Sequence, residues 1–209
     1  DGYYEIYNYG QLCWFAALVN GDTSRARIPS QDEQANAIVM ADIDCAADWE
    51  SIGKNTEYSG TFDGNGFVIR DLNADVKKGD EAQPLFDYIG KSAKVQNVIL
   101  ANAYVYQPSA ERSGILSNFN NGTISKCVVA ESEIYADSAS YDVAGITAYN
   151  VQDDGVEGVI EYSAVIDTLF KRLGDSGSAA AVSDFNCGNI YSCYSYDCTF
   201  ENVNEIGPI

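Results

Sequence analysis

Apolar and polar positions along most of this chain alternate in short β-branched runs punctuated by Gly, Asn and Asp, which predicts strands and tight turns rather than helices. The exception lies near the start. Residues Tyr9 to Gly21 place Leu12, Phe15, Ala16 and Val19 on one helical face and end at Asn20-Gly21, a helix with a glycine stop. Ala37 to Asp44 then reads as the first strand, and Trp49 to Gly66 leads onward through the turn Asp63-Gly64-Asn65-Gly66.

Beyond that point the alternation repeats. Gly114-Ile115-Leu116-Ser117-Asn118-Phe119-Asn120, Ala144-Gly145-Ile146-Thr147-Ala148-Tyr149-Asn150 and Ala180-Ala181-Val182-Ser183-Asp184-Phe185-Asn186 align without gaps. Each ends in an aromatic residue followed by Asn. A second strip follows, at Ile124 to Cys127, Ile160 to Ser163 and Ile190 to Cys193, with an earlier member at Val95 to Val98 and a looser one at Ile69 to Leu72. The steps from Val95 to Ile124, Ile160 and Ile190 are 29, 36 and 30 residues, the longer one holding six extra residues in the segment Val151 to Val159. Val105, Ile134, Phe170 and Phe200 keep the same register further on.

A unit near thirty residues with about three strands fits a parallel β-helix, whereas a propeller blade needs four hairpin-linked strands and about forty residues. The expected fold is therefore all-β: a right-handed parallel β-helix, a solenoid of about five coils of about thirty residues behind an N-terminal helix-containing cap. Residues 1–209 form one domain in this reading, with the cap at 1–57 and the coils at 58–209. Coils about 4.8 Å apart stack equivalent side chains into ladders. These are Asn120, Asn150 and Asn186; Phe119, Tyr149 and Phe185; and Cys127, Ser163 and Cys193. Their structural roles are backbone satisfaction and mutual packing. Cys127 and Cys193, about 9.6 Å apart across the intervening coil, are too distant for a disulfide.

The residues of the cap carry a resemblance. Gln11-Leu12, Phe15-Ala16, Val19-Asn20-Gly21, Ala41-Asp42-Ile43-Asp44, Trp49, Ile52-Gly53, Tyr58-Ser59-Gly60-Thr61-Phe62-Asp63-Gly64-Asn65-Gly66 and Leu85-Phe86 resemble the start of a GLUG-repeat domain. The later coils follow its Gly-Leu-Val-Gly-x-Asn core, departing where Ser117, Thr147 and Ser183 replace Val and where Asn118, Ala148 and Asp184 replace the second Gly. The resemblance covers nearly the whole chain. It implies an adhesin-like module secreted by, or held on the surface of, bacteria, including gut species, and it brings no catalytic residues with it.

Charge and composition narrow the partners. Twelve Lys and Arg against 31 Asp and Glu, a formal charge of −19, argue against nucleic acid. No apolar run approaches the roughly eighteen residues of a membrane span, so no membrane insertion is expected. No signal peptide precedes Asp1, which reads as the start of a mature or trimmed fragment. Histidine is absent, which removes the usual neutral-pH base and the commonest metal ligand. The six cysteines lack any C-x-x-C pair. Cys13 and Cys45 are either a cap disulfide or a pair of buried thiols, while the pairing of Cys187, Cys193 and Cys198 is not deducible.

The candidate chemistry is sparse. Asp153, Asp154 and Glu157, in the inserted loop, are the candidate calcium ligands, although their spacing lacks the Asp-x-Asp-x-Asp-Gly loop and also describes a solvated acidic turn. No other cofactor is expected. The turn at Asp63 invites the same metal reading but is equally a tight turn. Among fifteen tyrosines, Tyr149, Tyr162, Tyr191 and Tyr194 are the candidate ligand contacts, because aromatic rings stack on sugars. Asp71, Asp87, Asp184 and Asp197 fall near the strips, as a carboxylate-based glycosidase or lyase would need.

The favoured expectation is a non-catalytic extracellular module for adhesion, ligand or glycan binding, or spacing on a bacterial surface; a glycan-active β-helix enzyme is the alternative. Its partner would be a host or bacterial surface protein or a glycan. No covering helix is predicted near Pro208-Ile209, which points to an end-to-end contact or further domains at that end.

Overall fold

The chain is a β-solenoid of about six turns whose long sheets are parallel, with one short helix near its N-terminus. The computed structural model describes residues 2–25, 27–28, 30–46, 49–108, 110–137, 142–174 and 177–207. Asp1, Pro208 and Ile209, named above, lie outside them.

Four stacks of short strands form the walls. The longest is seven-stranded and runs Tyr3–Ile6, Asn36–Val39, Thr61–Asp63, Lys94–Gln96, Thr123–Ser125, Val159–Glu161 and Asn189–Tyr191. A six-stranded sheet runs from Ile43–Asp44 to Tyr194–Tyr196, and two four-stranded sheets contain Glu133–Ala136 and Ser117–Asn120. Register follows the repeat: Ile124 lies between Val95 and Ile160, Ile160 on Ile190, and Phe170 between Ile134 and Phe200. The interior is correspondingly apolar along these rows, with Val95, Ile124, Ile160, Val129, Val165, Ile134 and Phe170 fully buried. Burial on this scale is the main driving force for stacking the coils.

The structure corrects several expectations. A coil carries four or five strands rather than about three, because single residues in the left-handed conformation fold each apparent strip around a corner. Asn97, Lys126, Tyr162 and Ser192 make one row of such corners, and Asp71, Asn102, Glu131, Asp167 and Asp197 another, with φ between 45° and 62°. The run Ala37 to Asp44 is likewise two strands, Asn36–Val39 and Ile43–Asp44, on different walls. Both belong to the long sheets, so stacking begins within residues 1–57 and yields about six turns where five were expected. Ile69 stands beneath Leu100, whereas Val95 rests on Phe62. The looser strip Ile69 to Leu72 therefore starts one wall away from the Val95 row, the same apolar–polar spacing recurring on both.

The helix Tyr9–Asn20 closes one end. Asn8 caps it, its Oδ1 accepting from Gln11 N at 3.1 Å, and Gly21 at φ 75° ends it as Asp22 N donates to Ala17 O at 2.9 Å. Leu12, Phe15, Ala16 and Val19 are buried as predicted, but so are Ala17 and Leu18, because the helix lies over the open coil. Phe15 reaches the coil itself, with ring centroids 6.1 Å from Tyr58 and 5.9 Å from Phe62.

Ladders of polar groups satisfy the backbone at the bends. Asn120 Nδ2 donates to Asn150 Oδ1 at 2.8 Å, and Asn150 Nδ2 to Asn186 Oδ1 at 2.7 Å. Ser117, Thr147 and Ser183, the residues that depart from the repeat core, each turn a hydroxyl onto the carbonyl two residues on, at 2.7, 3.2 and 3.1 Å. Valine could not make these bonds. Cys127 and Cys193 take equivalent places around Ser163, whose Oγ accepts from Cys127 N at 3.1 Å.

Candidate functional site

The outward row of the Ser117–Asn120 wall brings together the most chemistry. Tyr88, Phe119, Tyr149 and Phe185 stack at centroid separations of 4.9, 5.3 and 4.7 Å. Their register is imposed by the parallel strands, and the inner rings, Phe119 and Tyr149, have a neighbouring ring on each side. Arg112 lies across the ladder, its guanidinium carbon 4.1 Å from the Phe119 centroid and 4.8 Å from that of Tyr149. Tyr149 is therefore part of a covered stack rather than an open platform.

Beside the ladder, Asp87, Gln107, Ala110, Glu111, Arg112, Asn118 and Phe119 line a recess of about 300 Å³. Asn118 is locked by two bonds, Gly114 N donating to its Oδ1 at 3.0 Å and its Nδ2 donating to Asp87 Oδ1 at 2.9 Å. Burial raises the Asp87 carboxyl above the ordinary range, against the pull of Asn118, Lys54 and Arg112. Gln107 Nε2 donates to Gln83 Oε1 at 2.9 Å, while its own Oε1 and the Nε of Arg112 are buried at the wall without a partner. Unpaired groups of this kind carry a desolvation cost that a polar ligand or water relieves.

Further along the same face stand Asp142 and Asp184. Asp184 Oδ2 accepts from Ser178 Oγ at 2.7 Å and from Val143 N at 3.2 Å, and Asp142 is bonded by the Tyr149 hydroxyl. Burial pushes both carboxyls up, and the charge of Asp142 raises Asp184 further. A carboxyl raised on folding binds protons more tightly when folded. Its contribution is thus complete below the ordinary Asp value of about 4 and is lost as pH climbs through the raised value. Urea midpoints measured from pH 4 to neutrality are expected to fall on that account, and the double variant Asp142→Asn with Asp184→Asn to flatten the fall.

The remaining candidates are dispersed. Residues Gln152–Asp153 and Val156–Glu157 form a small exposed antiparallel hairpin. Lys91 Nζ neutralises its tip, 2.8 Å from Asp153 Oδ2 and 2.9 Å from Asp154 Oδ2. Glu157 turns instead to the Asn189 amide, so the three proposed calcium ligands do not converge. No group of three metal-ligating side chains occurs among the described residues. Asp63 is occupied by donors at 2.7 to 2.9 Å from Gln96, Asn97 and the Asn65 N–H, which makes it a turn anchor.

Tyr162 is a corner residue, 60% exposed, and Tyr191 and Tyr194 sit on the last coil, 51% and 54% exposed, away from Tyr149. Asp71 and Asp197 are corners too. Cys13 and Cys45 are free thiols rather than a disulfide, Cys45 buried and Cys13 only partly so, and burial pushes the Cys45 thiol up to about 12. No helix among the described residues is long and apolar enough to cross a membrane.

Sequence reasoning missed Gln107, Arg112 and Asp142. Arg112 had the one available signal, a lone cation just before the coil motif Gly114 to Asn120. Comparison with family models, curated proteins and solved structures found no match.

Proposed function

We propose that this chain is a non-catalytic β-solenoid module of the GLUG-repeat kind, displayed outside a bacterial cell, that holds a glycan against its side. The recess beside the aromatic ladder carries the reading. Planar carboxylate, amide and guanidinium groups from Asp87, Asn118, Gln107 and Arg112 supply paired donors and acceptors suited to vicinal hydroxyls, beside the edge of Phe119. A scaffold of stacked coils holds them on strands and their margins rather than on a free loop.

A glycan array probed with the labelled protein tests this. Binding that Asp87→Asn weakens about tenfold, the loss of one charge-assisted bond, with an unchanged circular dichroism spectrum, is the expected result. An array without hits overturns glycan binding and leaves a spacer. A glycan-active enzyme is the second reading, favoured by the half-buried pair Asp142 and Asp184. Chromatography of the bound glycans after incubation separates the two: cleaved products that vanish in Asp184→Asn would establish the enzyme.

A further inference from the structure

Three polar atoms of the lateral recess are left over once the bonds around it are assigned, and the groups behind them fix which donate and which accept. The Glu81 carboxylate can only accept, so Gln83 Nε2 donates to it and Gln83 Oε1 faces Gln107. Gln107 must then give its Nε2 to Gln83, at 2.9 Å, which turns its Oε1 into an acceptor without a partner. Asn118 is oriented in the same way. Gly114 N donates to its Oδ1, which commits its Nδ2 to Asp87 Oδ1 and leaves Asp87 Oδ2 unbonded among the described residues. The third atom is Arg112 Nε, a donor buried without a partner.

One donor and two acceptors therefore await a ligand, all on residues that line the same recess of about 300 Å³. Gln107 is only 7% exposed, so its free oxygen is a preorganised contact rather than a surface amide. The aromatic faces take no part. Phe119 has Tyr88 at 4.9 Å and Tyr149 at 5.3 Å, with the Arg112 guanidinium carbon 4.1 Å from its centroid, so a sugar ring cannot stack on it. What remains apolar in the lining is the edge of Phe119 and the side chain of Ala110. A ligand is thus chosen by hydrogen bonds and by one small apolar group.

We propose that the recess selects N-acetylhexosamines by their acetamide group. The inference rests on the glycan-holding role proposed above and names the sugar. The acetamide carbonyl would accept from Arg112 Nε, its N–H would donate to Gln107 Oε1, and the neighbouring ring hydroxyl would donate to Asp87 Oδ2. Its methyl group would lie against Ala110 and the edge of Phe119. Every leftover atom then has a partner of the opposite kind. A plain hexose offers one hydroxyl where the acetamide offers both a carbonyl and an N–H, and it brings no methyl. A uronic acid would pair with Arg112, but it would set a carboxylate beside Asp87 and Glu111 in a chain of charge −19.

Competition on the glycan array separates this inference from its premise. The probes are the methyl glycosides of N-acetylglucosamine, N-acetylgalactosamine, glucose, galactose and glucuronic acid, each used to displace the full chain from the glycans it binds. The expected result is displacement by an N-acetylhexosamine at a concentration at least about tenfold below that of its parent hexose. Gln107→Leu removes the acceptor, and Arg112→Lys keeps the charge but puts carbon in place of Nε. Each should bring the ratio close to one while the circular dichroism spectrum is unchanged. If both variants unfold, the ratio for the unaltered chain decides. Equal displacement by hexoses and N-acetylhexosamines, or strongest displacement by the glucuronide, overturns the inference and leaves glycan binding standing. So does a ratio that both folded variants preserve, since the acetamide would then be held elsewhere. An array without hits overturns glycan binding and this inference with it.

Discussion

Replacing Asn150 with leucine is expected to lower the stability of the chain by about 3 kcal/mol, the scale for leaving two buried polar groups unpaired. Asn150 is fully buried in the middle of its ladder. Its Oδ1 accepts from Asn120, and its Nδ2 reaches Gly158 O at 3.1 Å and Asn186 Oδ1 at 2.7 Å. Leucine fills the volume but satisfies none of these, and the gain in apolar burial offsets only part of the loss. Asn186→Leu makes the comparison. Asn186 is exposed, so water replaces its partners, and the expected cost is below about 1 kcal/mol. Urea unfolding of both variants checks the gradient; equal costs would mean that the ladder does not act through burial.

The ladder could be read from the sequence because it is a one-dimensional property. Asn120, Asn150 and Asn186 follow an aromatic residue at a fixed place in each coil, and stacking alone turns that spacing into contact. The same logic placed Val95, Ile124, Ile160 and Ile190 in one row. It failed where two walls share one spacing, as at Ile69, and where a corner residue such as Lys126 or Tyr162 interrupts a strip without a glycine to announce it. The lateral recess was beyond its reach altogether. Gln83, Asp87, Gln107, Arg112 and Asn118 come from different coils and a connecting loop, and their meeting depends on side-chain direction rather than on period. Lys91 reaches Asp154 across 63 positions, a contact created only by the inserted hairpin.

Beside the Asn ladder runs a second one that carries the other large effect. At this corner successive backbones approach so closely that a Cβ has no room. On Gly122 it would stand 2.5 Å from Gly90 O and 2.6 Å from Ala93 O; on Gly158, 2.5 Å from Asn120 O; and on Gly188, 2.2 Å from Gly158 O. These obstacles are mostly carbonyls held in the inter-coil network. Gly122 O itself accepts from Val159 N at 2.8 Å, so Gly122 is gripped from both sides. Gly122→Ala is therefore expected to cost about 3 kcal/mol, the upper range for overpacking a rigid site. Gly188→Ala meets the tighter contact, yet no strand among the described residues stacks beyond its coil, which can move outward, so the expected cost is about 1 kcal/mol or less. Gly10→Ala, in the helix with 3.4 Å to its nearest obstacle, controls for the substitution itself and should be neutral or stabilising by up to about 1 kcal/mol. Thermal melts of the three variants distinguish the accounts. If contact distance alone set the cost, Gly188→Ala would be the worst; if freedom of the coil to relax sets it, Gly122→Ala will be.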